Sequence, residues 1–449
     1  MSSDFQVVGG NAAALFTLKL HRGEGMCLLA MNWRSGQPPR DFVGFAIEYK
    51  EPGGDKFFAL KNRLTFPGAN GEVNPNARST RLSPIQKFRW VHFPRNAEMS
   101  GDFTYRVTPV FMNPQGELSY GDEQQAAIAL RRETFPGQLN VTFTRGFVSS
   151  QAFVDRYESQ GPISTLLPAK AADGLTFKPT HPDADAALKW MGFEARSAIY
   201  EMLDKAKADG ALVKVVAYDL SEAAFVAKLV ALGDKLRIII DNSGDHGEDG
   251  SGENQAETKL KKSAGAANVK RQHMGNLQHN KMIIVEGPTV KQAVGGSTNY
   301  SWRGFYVQAN NAVIVTGASA IAPFKAAFAQ YWASDKQGDF GASPPALWSD
   351  LGLNGIDAKV TFSPHSDANA QLTAIADDIA TTQSSLLYSL AFLYQTDGPI
   401  KTALVGVTGN ASRFVYGISD RKVGGLDVEM PDGNVAVGMT GLTEEFATI

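Results

Sequence analysis

Cysteine is almost missing from this sequence, since Cys27 stands alone. One thiol excludes an intramolecular disulfide and fits a reducing compartment. Its neighbours Met26 and Leu28 make it a buried core thiol rather than a nucleophile. Long apolar runs are missing too: no stretch of about 18 apolar residues occurs, so no membrane-spanning helix is expected. The opening Met-Ser-Ser-Asp-Phe-Gln-Val-Val has neither the basic segment nor the apolar core of a cleaved leader. The expectation is a cytoplasmic protein, or one exported without a cleaved signal peptide. Excess charge is lacking as well, with 43 Lys and Arg against 46 Asp and Glu for a formal net charge of −3. No global attraction to nucleic acid or to an anionic membrane follows, and any such binding needs a local patch.

What is present is apolar material, 43% of 449 residues against 20% charged, enough for sizeable cores in two or three domains. Two rhythms divide the chain. Residues 1–140 alternate short β-type runs with Gly, Pro and Asn turns: Phe16 to Leu20, Cys27 to Trp33, Phe45 to Tyr49, Phe57 to Leu60, Phe88 to Phe93, Tyr105 to Met112 and Ala126 to Leu130. They read as an all-β immunoglobulin-like or fibronectin-like sandwich with Trp90 and Phe111 in its core. The run Gly101 to Ser119, with Tyr105 and a turn at Gly116, resembles the last hairpin of a fibronectin type III domain. That resemblance implies a module that docks, spaces or recognises.

Residues 141–174 read as a linker, with a short helix from Phe147 to Tyr157. From Leu175 strands alternate with helices: a strand Leu175 to Pro179, a helix from about Asp183 to Ala208, a strand Val213 to Tyr218, a helix Ser221 to Leu232 capped by Ser221, and a strand Leu236 to Ile240. The long helix gathers Ala187, Trp190, Met191, Ala198, Ile199 and Leu203 on one side. This alternation predicts an α/β domain whose sheet is covered on both faces.

The chemistry concentrates between Gln278 and Asn311. Met282 to Val285 is an apolar strand pattern, and residues two apart on a strand share a face, so His279 and Lys281 are expected to meet one ligand together. A second strand, from Gln292, runs into Gly295-Gly296-Ser297-Thr298-Asn299, where two glycines allow close backbone approach. Lys offers a point charge, Ser and Asn offer donors, and His offers a nucleophile or a proton; the ligand that suits all four is a phosphate. His-x-Lys, then an acidic residue, then Gly-Ser-x-Asn resembles the signature of the phospholipase D, or HKD, superfamily. Glu286 stands where that family usually has Asp, one methylene longer.

The resemblance implies phosphodiester cleavage in two displacements through a phosphohistidine, with neither cofactor nor metal. Within it, His279 is catalytic, Lys281 and Asn299 hold the non-bridging oxygens, and Ser297, Glu286 and His365 bind or orient. The implied substrate is a phospholipid whose headgroup is hydrolysed or transferred. The alternatives are a nuclease of the same superfamily, or an inactive phosphate-binding protein.

An internal repeat gives the second half of the α/β region. Leu-Thr-Phe177-Lys-Pro179 recurs as Val-Thr-Phe362-Ser-Pro364-His365, followed by a helical pattern from Asn369 to Ser384 and β-type runs Leu386 to Leu393 and Arg413 to Ile418. The expected domains are therefore 175–335, with the His-x-Lys, and 336–449, a related but incomplete half with none. The preferred account of the missing motif is that the chain is a truncated or cleaved portion of a longer product whose remaining C-terminal piece carries it; a dimer pairing two copies of His279, against which the internal repeat argues, and loss of catalysis with phosphate binding kept are the alternatives. Between Asp241 and Ala267 a polar insertion reads as a mobile loop over the site mouth, since Asp245, His246 and Asp249 lack calcium-loop spacing. Lys259, Lys261, Lys262, Lys270 and Arg271 form the one local basic cluster, read as a solvated face.

Overall fold

The computed structural model describes residues 5–23, 25–67, 71–72, 74–94, 96–97, 99–130, 133–145, 151–367, 371–392, 397–419, 427–429, 435–437 and 439–440. The chain divides into two compact units, Met1–Pro136 and Gly137–Ile449.

The first unit is all-β. Strands β1 (Gln6–Val8), β2 (Phe16–Gly23), β3 (Met26–Trp33), β4 (Phe42–Lys50), β5 (Phe58–Ala59), β6 (Arg89–His92), β7 (Asp102–Met112), β8 (Leu118–Tyr120) and β9 (Gln124–Ala129) form two antiparallel sheets. Their orders are β1-β2-β3-β6 and β5-β4-β7-β8, with β9 also on β7. Period-two alternation turns Phe16, Leu18 and Leu20 of β2, Cys27, Leu29 and Met31 of β3, and Phe103, Tyr105 and Val107 of β7 into one shared core. Cys27 is buried as expected, and burial pushes its thiol up to about 12, which keeps it protonated and unreactive. Tyr105 is fully buried and its hydroxyl lies 3.0 Å from His92 Nδ1. Trp90 packs against this core, only partly buried.

The second unit begins earlier than the expected boundary. Strand β10 (Leu139–Phe143), placed by the sequence partly in a linker, pairs antiparallel with β16 (Asn311–Thr316) and forms an edge of the main sheet. A short helix α1 (Gln151–Tyr157) follows; the preceding residues of the expected helix, 147–150, lie outside those described. The segment Leu175–Pro179 is not a strand. Its amides bond locally, with Phe177 N on Asp173 O, and the Trp302 indole donates to Gly174 O at 2.9 Å, so turns replace a ladder.

Next come α2 (Ala184–Ala208), β11 (Leu212–Ala217), α3 (Ala223–Val230), β12 (Leu236–Asp241), α4 (Gly252–Ala264), β13 (Val269–Gln272), β14 (Met282–Glu286), β15 (Lys291–Gly296), α5 (Trp302–Tyr306) and, after β16, α6 (Ala318–Ala333). Seven strands run in the order β10-β16-β15-β14-β11-β12-β13. The β11, β12 and β13 neighbours are parallel, and the other pairs are antiparallel. Ile199 and Leu203 of α2, Phe225 of α3 and Leu260 of α4 cover one face through Val215, Ile240 and Ile283. Ile321, Phe324 and Phe328 of α6 cover the other through Val216, Ile239 and Ile284.

The expected mobile loop is largely the helix α4. Ser251 accepts from Asn254 N at 3.1 Å, Glu257 pairs with Lys261 one turn on, and Ala256, Leu260 and Ala264 repeat every four residues into the core.

Beyond α6, α7 (Gln337–Gly341) and the two-residue strands β17 (Ser349–Asp350) and β18 (Lys359–Val360) lead to α8 (Leu372–Ala380), β19 (Ser385–Leu390), α9 (Pro399–Thr408) and β20 (Phe414–Ser419). β19 and β20 are parallel, so the helix-strand-helix-strand order of α2, β11, α3 and β12 recurs here. The repeat is carried by these elements and not by matching opening strands.

Glu222 fastens the helices to one another. It caps α3 in place of the expected Ser221, accepting from Phe225 N at 2.5 Å, and also accepts from the hydroxyls of Tyr200 at 2.6 Å and Tyr306 at 3.1 Å. With Glu222 only 1% exposed, Glu222→Ala removes a cap and strands two buried phenols. A loss of roughly 3–5 kcal/mol is expected in urea unfolding.

Candidate active site

One edge of the seven-stranded sheet collects the polar residues. Here the C-terminal ends of β11, β12 and β15 meet the N-terminal ends of β14 and β16, as the pairs Val216↔Met282 and Gly296↔Ala312 require. The outer ends of parallel strands are where open α/β sheets take their ligands.

His279 and Lys281 stand just before β14 rather than on it. Lys281 is 7% exposed; its Nζ donates to the main-chain carbonyl of His279 and lies 4.8 Å from the centre of the Tyr218 ring. Burial lowers its pKa to about 8, against the opposing pull of Asp219 and Asp241. His279 is exposed, with its ring edge-to-face on Tyr218 at 4.5 Å and 78°. Desolvation against this neighbour and the charge of Lys281 both lower its pKa from the ordinary imidazole value, which favours the neutral ring.

Across the edge, Lys281, Gly296, Thr298, Tyr300 and Asn311 line one recess. Gly296 has φ +144°, and a Cβ there would stand 2.5 Å from the Asn311 carbonyl, so the turn into it accepts only glycine. Thr298 Oγ1 donates to that same carbonyl at 2.7 Å. Ser297 is exposed and its Oγ accepts from Asn311 N at 3.0 Å. Asn299 is 7% exposed and its Oδ1 has no hydrogen-bond partner among the described residues. Lys281 and the Gly295–Asn299 turn are thus brought together at one place.

Two expected residues lie elsewhere. Glu286 ends β14 at the opposite edge of the sheet, paired in register with Leu212 and Lys291 and in ion pairs with Lys325 and Lys214. It stands five positions along the chain from Lys281, roughly 16 Å at strand spacing, too far to touch the His279 ring. His365 holds the Ala346 carbonyl through Nδ1 at 3.0 Å. Its segment still touches the motif, because the Ser363 carbonyl accepts from Asn280 Nδ2 at 3.3 Å.

The structure adds a cluster that sequence reasoning passed over. Asp241, with no exposed surface, accepts from His246 Nδ1 at 2.7 Å, from Ser243 N at 2.9 Å and from Gln278 N at 2.6 Å. The other nitrogen of His246 meets Asp219 Oδ1 at 3.0 Å, and the His246 ring lies edge-to-face on Tyr218 at 4.5 Å. Burial alone would lower the His246 pKa, but the hydrogen bonds to Asp219 and Asp241 and the charge of Glu253 win, and it is pushed up to about 10. Asp219, His246 and Glu253 bring ligand atoms within 4.8 Å of one another, close enough for a metal ion. With both ring nitrogens on carboxylates, the set fits an imidazolium, and an ion at Nε2 would first have to displace its proton. The sequence signal was present: Tyr218-Asp219 and Asp241 end two adjacent parallel strands.

The basic cluster is largely consumed internally. Arg271 donates to Asn254, to Glu257 and to the carbonyls of Asp241 and His246, Lys261 pairs with Glu257, and Lys270 donates to the Trp332 carbonyl.

Residues 198–332 match the family model described as cardiolipin synthase, PLD-like domain. Over this stretch the chain is similar to a phospholipase D-like domain. It contains α3 to α6, the His-x-Lys segment and the Gly-Gly-Ser-Thr-Asn turn. No curated protein matches the chain. Among solved structures the chain is similar to Nuc, a phospholipase D family member from Salmonella typhimurium, at 20% identity over 31% of this chain and 90% of that one, with a TM-score of 0.25. It is similar to NucT from Helicobacter pylori at 15% identity over 32% and 91%, TM-score 0.26. It is also similar to a polyphosphate kinase from Porphyromonas gingivalis at 11% identity over 86% and 63%, TM-score 0.35. Among the described residues, no helix is long and apolar enough to cross a membrane.

The raised pKa of His246 sets a pH dependence. A group held charged in the fold contributes fully below its unfolded value of about 6.5 and loses that contribution as pH rises through the folded value, here about 10. The thermal-stability deficit of His246→Gln against wild type is therefore expected to be largest near pH 6 and to shrink steadily toward pH 10. At pH 7, Asp241→Ala, which takes one of two carboxylates from the imidazolium and the acceptor from Ser243 N and Gln278 N, is expected to lose roughly 3–5 kcal/mol in denaturant unfolding.

Proposed function

We propose that this protein is a phosphodiesterase of the phospholipase D type, which hydrolyses or transfers phospholipid headgroups through a phosphohistidine. The observation that carries the reading is that Lys281, a buried ammonium, lines one recess with Gly296, Thr298 and Asn311, while His279, its pKa lowered, packs on Tyr218 at the same sheet edge. An ammonium that loses hydration gains most by pairing with an anion, and a phosphodiester supplies one.

In the proposed first step a ring nitrogen of His279 attacks phosphorus. The P–N bond forms, the P–O bond to the leaving alcohol breaks, and that oxygen takes a proton. Water or a second alcohol then attacks phosphorus: a P–O bond forms, the P–N bond breaks to free the His279 ring, and the attacking hydroxyl gives its proton to solvent or to the released ring nitrogen. Lys281 and the Asn299 amide nitrogen neutralise the non-bridging oxygens along the path. Ser297 stands at the mouth of the turn, where its hydroxyl could still donate to a phosphate while accepting from Asn311 N. His246 does not supply the leaving-group proton, since both its nitrogens already donate to carboxylates. That proton comes from solvent or from a histidine of another polypeptide.

Lipid is favoured over nucleic acid by the fate of the basic cluster. Of its five residues, Lys261, Lys270 and Arg271 are bonded within the domain, whereas nucleic-acid binding draws on several phosphate contacts.

His279→Ala is expected to abolish release of choline from phosphatidylcholine vesicles with an unchanged melting temperature. Lys281→Ala is expected to lower kcat by about 10²–10³-fold. A fully active, folded His279→Ala protein ends the assignment, and cleavage of plasmid DNA without choline release moves it to the nuclease. In wild type, kcat/KM is expected to rise with pH on a limb below the ordinary imidazole value, as His279 loses its proton, and to fall on a limb near pH 8, as Lys281 does.

A further inference from the structure

We propose that Tyr218 is a positioning residue for His279 and Lys281, acting through the face and edge of its ring, and that His246 holds it there. The proposal rests on the function proposed above and goes beyond it by assigning a part to residues outside the His-x-Lys and Gly-Ser-x-Asn segments.

Three groups converge on the Tyr218 ring: His246 at 4.5 Å and 69°, His279 at 4.5 Å and 78°, and Lys281 Nζ at 4.8 Å from the ring centre. Edge-to-face packing and an ammonium over the π face are the arrangements the ring quadrupole favours. Among the described residues, the His279 ring has no hydrogen bond, so Tyr218 is what defines its plane. A nucleophile without such a support would sweep several rotamers, and small misplacement of a reacting group is costly in rate.

The support itself is fixed from behind. His246 is clamped at both nitrogens, by Asp241 at 2.7 Å and Asp219 at 3.0 Å. Asp241 also accepts from Gln278 N, one residue before His279, so main chain and ring of His279 are both referred to the same carboxylate. The charged groups around the His279 ring are Lys281, Asp219, Asp241 and His246. The Tyr218 hydroxyl has no hydrogen bond to the described residues, which makes the ring the working part.

The test uses the full chain with isotope-labelled histidine, in wild type, Tyr218→Phe, Tyr218→Leu and His246→Gln, each checked for folding by its melting curve. Ring resonances of His279, assigned by their absence from His279→Ala, are followed against pH. Turnover is measured on bis(4-nitrophenyl) phosphate. Tyr218→Phe is expected to match wild type within about twofold. Tyr218→Leu is expected to lower kcat by about 10- to 100-fold with little change in KM, and to move the His279 titration up toward the ordinary imidazole value. His246→Gln is expected to shift both readouts in the same direction. A folded Tyr218→Leu protein with wild-type kcat and an unmoved His279 titration overturns the proposal, and so does a Tyr218→Phe protein as impaired as Tyr218→Leu. Should wild type cleave no phosphodiester, the function proposed above fails, and the His279 titration alone still decides the positioning role.

Discussion

A carboxylate with no exposed surface, Asp241, is the point to which the site is referred. It closes strand β12 and accepts from Ser243 through both main chain and side chain, from His246, and from Gln278 N. A charge buried this deeply persists only with its hydrogen bonds satisfied, so it dictates where the partners stand. One partner is the backbone that leads into His279 and Lys281. The other is an imidazolium that braces Tyr218, the ring those two residues share. Removing this group would free both the approach and the backing of the His-x-Lys segment.

Around that point two histidine rings, each centred 4.5 Å from the Tyr218 ring, have their pKa values pushed in opposite directions. His246 lies between two aspartates, which raise its pKa, while burial and the Lys281 charge lower that of His279. Such divergence of like groups is the work of their surroundings: carboxylates around one ring, a buried ammonium beside the other. Lys281 completes the pattern, since burial lowers its pKa to about 8 against the pull of Asp219 and Asp241.

The polar insertion and the basic residues turn out to serve this same architecture. Helix α4 sets Glu253 against Leu220 N at 2.8 Å behind the site, and Arg271 ties the helix to the carbonyls of Asp241 and His246. Charges that look like a surface patch in the sequence are internal ties in the fold. Their net effect is rigidity on one side of the sheet edge.

Period-two and period-3.6 patterning placed β2, β3, β4, β7, α2, β11 and β12 nearly where they lie, because apolar spacing is a local property that burial then selects. The His-x-Lys and Gly-Gly-Ser-Thr-Asn segments were equally legible, since backbone freedom at Gly296 and charge at Lys281 are written in single residues. Long-range facts decided the rest. That β10 belongs to the main sheet depends on a partner strand, β16, far along the chain, and that Glu286 lies at the wrong edge depends on strand direction and length. The company of Asp219, Asp241, His246 and Tyr218 arises only when parallel strands end side by side, because hydrogen bonding across a sheet joins residues that sequence distance keeps apart.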